Sequence, residues 1–179
     1  MDQLAKLRSL KARGSSLVQG QEQIRHLNNG TPALERLHRF RDRLKMSGLD
    51  PLRPNKLSVM QINVGKMCNQ VCKHCHVDAG PDRREIMTRE TMQFCLDALE
   101  STPQLKTIDL TGGAPEMNPN FRWFIEEIRK LSPNVEIIVR CNLTIILANK
   151  SYNDLPQFFA HHRIHVVSSL PFYQKRATD

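Results

Sequence analysis

The sequence has no run of about 18 apolar residues, which excludes a helical membrane span. Its longest apolar stretches are strand-sized, such as that from Val135 to Val139 around Glu136. It has no internal repeat and no low-complexity segment, and residues 1–20 lack the continuous apolar core of a secretory signal. Aromatic residues make up only 6% and do not interleave with basic ones. The net charge of +8 therefore comes without the stacking groups that usually accompany nucleic-acid binding. Neither nucleic acid nor a membrane is expected as a partner. The five cysteines are an odd number, and three of them crowd into eight residues, which is not how a disulfide framework is spaced. A reducing compartment, the cytoplasm, is expected, with thiols available for metal.

What is present is a globular composition, 40% hydrophobic and 25% charged over 179 residues, sized for one domain or part of a larger one. The positive charge is uneven. Residues 1–50 hold 10 basic and 5 acidic groups, so most of the excess sits in an N-terminal arm. That arm reads as charged helical pieces broken at Gly14, Gly20 and Asn28-Asn29-Gly30, with a further helix opening at Thr31-Pro32 and carrying Leu34, Leu37 and Phe40. Its basic and serine-rich start has a trace of an organelle-targeting segment, against which stand Asp2 and weak amphipathicity; a solvated charged arm is the plainer reading. Asp50-Pro51 and Arg53-Pro54 form a stiff linker to the rest, residues 51–179.

From Leu57 the pattern alternates. Strands are expected at 57–64, 107–111, 135–141 and 163–169. Helices are expected after Thr88 (apolar face Met92, Cys95, Leu96, Leu99), from about Pro119 (Phe121, Phe124, Ile125, Ile128, Leu131) and over Leu155 to His161. This order implies βαβ units, an α/β class and a parallel sheet with ligands gathered at the carboxyl ends of its strands. A doubly wound sheet is apolar on both faces. Here Gln61 and Asn63, Asp109 and Thr111, and Arg140 and Asn142 each share a face opposite an apolar one. That predicts strands curved around a polar interior, with helices on the other side. Alternatively, these groups bond to loops at the strand ends.

Just past the first strand, Cys68-Asn69-Gln70-Val71-Cys72-Lys73-His74-Cys75 reads C-x3-C-x2-C. Structural zinc takes four closed ligands, usually as two pairs, and no second pair follows; His76 could complete a set only awkwardly, being adjacent to Cys75. A four-iron cluster held by three cysteines keeps one iron open for a ligand. The spacing favours a cluster over zinc. Gly112 and Gly113, at the end of the second strand, admit either a tight turn or close approach of a ligand to the backbone. Glu116 is either a carboxylate for a ligand's ammonium group or an exposed acid ahead of a helix. Cys141 ends a strand where substrates gather, yet alternation puts it with Ile137 and Val139, so core burial is expected. Cys95 is likewise read as core.

The C-x3-C-x2-C loop after a first strand resembles the radical S-adenosylmethionine (SAM) superfamily. The segments Gln61-Ile62-Asn63-Val64-Gly65, Cys75-His76-Val77-Asp78-Ala79-Gly80-Pro81, Leu110-Thr111-Gly112-Gly113-Ala114-Pro115-Glu116-Met117-Asn118-Pro119, Val139-Arg140-Cys141-Asn142-Leu143-Thr144 and Ser169-Leu170-Pro171-Phe172-Tyr173 are more particular. Together they resemble the arsenosugar biosynthesis radical SAM protein family over residues 50–179. The resemblance implies a partial (βα)6 barrel. It implies a 4Fe-4S cluster on Cys68, Cys72 and Cys75 whose open iron chelates SAM, and an electron donor such as ferredoxin or flavodoxin. One-electron reduction of the sulfonium then yields methionine and a 5′-deoxyadenosyl radical. In this family the adenosyl group is thought to join a methylated trivalent arsenical, a small-molecule substrate. Thr111, Gly112 and Gly113, with Ala114 and Glu116, correspond to the turn that meets the SAM amino group, and Asn142 and Ser169 to further cofactor contacts.

The chain departs from the superfamily's usual glycine-glycine-glutamate-proline turn: Ala114 fills the third place and the glutamate comes two later. The fourth strand ends near Ser169 and the chain at Asp179, so two strands of a six-stranded barrel are expected to be missing. An N-terminal fragment is the expectation, poorly soluble alone or needing a partner at its open sheet edge. Two other functions fit the same residues: a radical SAM maturase acting on a peptide, and a non-enzymatic zinc-binding module.

Overall fold

The computed structural model of the protein describes residues 11–12, 14–29, 39–53, 55–73 and 75–169. Two compact units meet in the chain at Leu57 and Ser58. The first carries α1 (Gly20–Asn29) and α2 (Phe40–Met46). Gly20, expected to break a helix, instead begins α1, where an i,i+3 pair joins Arg25 to Glu22 at 2.8 Å. α2 buries none of its residues. The helix expected from Thr31-Pro32 lies outside the described residues, except that Phe40 opens α2.

The second unit alternates β1 (Val59–Asn63), α3 (Arg89–Glu100), β2 (Thr107–Thr111), α4 (Phe121–Leu131), β3 (Glu136–Arg140), α5 (Ile145–Ala148), α6 (Leu155–His161) and β4 (Ile164–Val167). All pairings are parallel, in the order β1-β2-β3-β4, with Met60 beside Ile108, Ile108 beside Ile137 and Ile137 beside Ile164. Among the described residues the sheet has these four strands, with β1 and β4 at its edges. β2 has the bounds expected of it, while β1, β3 and β4 are shorter than expected because their flanking residues leave the ladder. Val64 still donates its N–H to Thr111 O at 2.9 Å, but its own carbonyl turns to Met87 N.

The helices form where capping and periodicity place them. The Thr88 side chain accepts from Thr91 N and caps α3, which buries Met92, Leu96 and Leu99 and half-buries Cys95. α4 buries Phe121, Phe124, Ile125 and Ile128. Leu131, expected on the same face, is 42% exposed at the last turn before Ser132. These side chains cover the sheet face made of Ile62, Val64, Ile108, Leu110, Ile137, Val139 and Cys141, all buried. Each fully buried side chain of this size contributes about 1.5–3 kcal/mol.

The opposite face carries the strands' polar groups alongside Val59, Ile138 and Val167, and those polar groups bond across strands. Asp109 on β2 accepts from Gln61 Nε2 at 2.8 Å and from Arg140 Nη2 at 2.8 Å. One step nearer the strand starts, Glu136 accepts from Thr107 Oγ1 at 2.8 Å and meets His165 Nδ1 at 2.9 Å. Only at the carboxyl ends do loops take over: Asn63 Oδ1 accepts from Gly65 N at 3.0 Å. No helix among the described residues is long and apolar enough to cross a membrane.

Candidate cluster-binding site

The cysteine loop leaves the carboxyl end of β1 and returns to its own base. Lys66 N donates to Glu85 O, Gly80 N to Lys66 O and Cys68 N to Gly80 O, at 2.8, 3.1 and 3.2 Å. Isolated bridges join Gly65 to Ile86 and Met67 to Gly80. The described residues between Cys68 and Ala79 thus belong to an excursion closed at its base. Arg83 fastens it from within. Its guanidinium is almost fully buried, donates to Asp78 O and Asp78 Oδ2 at 2.9 and 2.6 Å, and reaches both oxygens of Glu85 at 3.1 and 3.0 Å. The Glu85 hydrogen bond, the largest influence on Arg83, raises its pKa despite burial. Asn118, also buried, donates to Val64 O and Met87 O, both at 2.9 Å, tying the end of β1 to the strand-like return. Sequence reasoning assigned no role to Arg83 or Asn118. A charged residue in a polar loop carries no sign of burial.

Within this excursion Cys68 is buried, and Cys72 and Cys75 are half-buried. Cys68 Sγ accepts from Gln70 N at 3.4 Å and Asn142 Nδ2 at 3.6 Å, and Cys75 Sγ from Ala79 N at 3.3 Å. Burial raises the Cys68 thiol; the Gln70 and Asn142 donors pull it back, and Cys75 and Glu116 push it up further. Among the described residues no three metal-ligating side chains are gathered tightly enough to clasp one ion. A single zinc needs its sulfurs about 2.3 Å from one centre. An iron–sulfur cluster takes each thiolate on a different iron, so its ligands stand farther apart. His76, the candidate fourth zinc ligand, is exposed; His74 lies outside the described residues.

The glycine turn after β2 abuts this loop directly. Gly113 N donates to Gly65 O and Ala114 N to Met67 O, both at 2.9 Å. Gly112 has φ +146, and a Cβ there would sit 2.5 Å from Gly65 O; one at Gly113 would overlap Met67 O. The close approach that these glycines permit is to the cysteine loop's own backbone. Thr111 is half-buried at the end of β2, and Ala114 is buried.

Glu116 is not the exposed acid that its position ahead of a helix allows. It is 6% exposed, in a 3-10 turn over Pro115–Met117, and both its carboxylate oxygens are buried without a hydrogen-bond partner. Burial raises its pKa, with the neighbouring Cys141 thiol partly offsetting this at less than full hydrogen-bond geometry. Cys141 in turn is pushed up to about 12 by burial and by Glu116. It is a buried thiol, as expected, and its sulfur accepts from Leu143 N at 3.3 Å. Ser169 is exposed, two residues past the end of β4. The segment Leu170-Pro171-Phe172-Tyr173 lies outside the described residues.

The structure thus brings together Cys68, Cys72, Cys75, Gly112, Gly113 and Asn142 at one end of the sheet, the end where ligands of parallel sheets bind. Arg140, on the polar face below them, is half-exposed and held by Asp109.

No protein-family description matches the chain, and no curated protein is similar to it in sequence. Among solved structures it is similar to BtrN, crystallised in complex with AdoMet and 2-DOIA, with a TM-score of 0.52 and 17% identity. The likeness covers 68% of this chain and 49% of BtrN, so the chain spans about half the length of that structure. At this identity the shared property is the fold, a mixed α/β architecture built on a parallel sheet.

Proposed function

We propose that the chain is the cofactor-binding part of a radical SAM enzyme, with Cys68, Cys72 and Cys75 holding a 4Fe-4S cluster and the glycine turn after β2 bordering bound SAM. The observation that carries this is the placement of a C-x3-C-x2-C loop, closed on its own base, at the carboxyl end of the first strand of a parallel sheet. The fold shared with BtrN, a protein crystallised with AdoMet, supports it.

The donor set fits the group. Three thiols leave one position for a chelating ligand, and the N–H···S contacts on Cys68 and Cys75 are of the kind that stabilise cluster-bound sulfur. The unpartnered buried oxygens of Glu116 are acceptors close enough to influence Cys68 and available to a donor at this end of the sheet. When bound, the reduced cluster supplies the electron that cleaves SAM. The chain's own residues hold and orient. The loop base at Lys66, Gly80 and Glu85 fixes the cysteines, Arg83 rigidifies their return, and Gly112 and Gly113 let the β2 turn seat against them. The substrate we propose is a methylated trivalent arsenical, adenosylated toward an arsenosugar precursor, and the electron donor a ferredoxin or flavodoxin. Both rest on the family resemblance of residues 50–179. The charged arm before residue 50 is given no part in the chemistry.

The test is anaerobic reconstitution, with iron and sulfide analysis and electron paramagnetic resonance (EPR) before and after adding SAM. About four irons and four sulfides per chain, and an EPR signal altered by SAM, are expected. A colourless zinc protein inert to SAM refutes the enzyme. Transfer of the adenosyl group to a methylated trivalent arsenical, with methionine released, supports the arsenosugar role; 5′-deoxyadenosine release coupled to a peptide instead makes the protein a maturase.

A further inference from the structure

Asn142 lies two residues beyond β3, and its side-chain amide faces the cysteine loop rather than open space. An asparagine amide offers two N–H donors and two acceptor lone pairs. All four are used. Nδ2 donates to Asn69 Oδ1 at 2.7 Å and to Cys68 Sγ at 3.6 Å; Oδ1 accepts from Ile145 N at 3.0 Å and Thr144 Oγ1 at 3.1 Å. The backbone N–H of Ile145 can only donate, so the amide oxygen must face it and the amide nitrogen must face the sulfur. Asn69 closes the ring by donating to Thr144 Oγ1 at 2.8 Å. The amide is therefore saturated by the protein's own groups.

N–H···S hydrogen bonds draw electron density from a cluster-bound thiolate, stabilise the more negative reduced state and raise the potential. Those from Gln70 and Ala79 are backbone bonds within the loop itself. The bond from Asn142 is a side-chain bond, brought by a different strand from 74 positions away. We propose that Asn142 is a positioning residue that sets the reduction potential of the cluster through Cys68, its amide oxygen anchored by Ile145 N and Thr144 Oγ1. This rests on the cysteine loop holding a 4Fe-4S cluster.

The test is a redox titration of the reconstituted full chain, following the EPR signal of the reduced cluster, in the wild type, Asn142→Leu, Asn142→Asp and Asn69→Ala. Asn142→Leu is expected to load the same iron and sulfide but to shift to a more negative potential. Its reduced-to-oxidised ratio at a fixed poise should fall about tenfold, about 59 mV for a one-electron couple. Asn69→Ala, which leaves the bond to Cys68, is expected to titrate as the wild type. A loaded Asn142→Leu protein with the wild-type potential overturns the proposal. An equal shift in Asn69→Ala also overturns it, since general loosening of the loop would then explain both. If Asn142→Leu does not load, Asn142→Asp decides, because it keeps the acceptor for Ile145 N while losing the donor to sulfur. An unshifted potential there, or failure of both variants to load, overturns tuning by Asn142. A wild-type chain that takes up no iron and sulfide is a different result, because it removes the cluster itself.

Discussion

The backbone N–H of Gly113 donates to the carbonyl oxygen of Gly65 at 2.9 Å, joining the turn after β2 to the base of the cysteine loop after β1. The two segments touch backbone to backbone, and a Cβ on Gly113 would enter the space of Met67 O. Gly113→Ala is therefore expected to lower stability by about 1–3 kcal/mol, the usual cost of overpacking. Gly20→Ala, where a Cβ meets nothing within 4 Å, should leave stability unchanged or slightly raised. Urea denaturation of the two variants checks this. Equal midpoints would show that the glycine turn yields without cost.

Glu116 predicts an unusual pH dependence. Its folded-state pKa is raised above the ordinary value near 4.5, chiefly by burial. The folded chain then holds this proton more tightly than the unfolded chain. Stability is greatest below the unfolded value and is lost as pH rises toward the folded one. Glu116→Gln removes the titration. The variant should gain on the wild type as pH rises above about 4.5, which denaturation at pH 4, 6 and 8 would read directly. Parallel curves would mean that the carboxyl finds a partner or solvent.

Asp109 has the opposite sign. Burial alone would raise its carboxyl, but hydrogen bonds from Arg140 and Gln61 outweigh it and hold the group below the usual carboxylate range. Its contribution is present above the ordinary value near 3.8 and is lost as pH falls through the lower folded-state pKa. Arg140→Gln is expected to cost about 1–3 kcal/mol near neutral pH, toward the lower end because Arg140 is half-exposed. The gap should close on acidification, and acid-denaturation curves of the two proteins provide the comparison.

Cys141 should resist modification. A thiol pushed up to about 12 carries almost no thiolate near neutral pH, and this one is buried. Peptide mapping after brief alkylation of the folded, metal-free chain is expected to find Cys72 labelled and Cys141 untouched until denaturant is added. Rapid labelling of Cys141 in the native protein would reopen it as a substrate ligand.

Much of this fold was legible in one dimension. Thr107–Thr111 and Leu155–His161 fall where the apolar alternation and the helical spacing put them, because both periods are set by backbone geometry. The polar alternation of Gln61, Asp109 and Arg140 correctly marked a sheet with one polar face, but not that the three would bond to one another. Arg83, Asn69 and Asn118 carried no local sign of their roles. Each acts on residues whose nearness is created only when the loop closes on its base.

The order of strands and helices, the cap at Thr88 and the crowding of Cys68, Cys72 and Cys75 were determined by the sequence alone, since each depends on neighbours within one turn or a few residues. Which way Glu116 points, what Gly112 and Gly113 make room for, and that Asn142 meets the sulfur of Cys68 were decided by tertiary structure. These depend on parallel strands bringing distant loops to the same end of the sheet, where burial and hydrogen-bond saturation, rather than residue type, determine what a side chain can do.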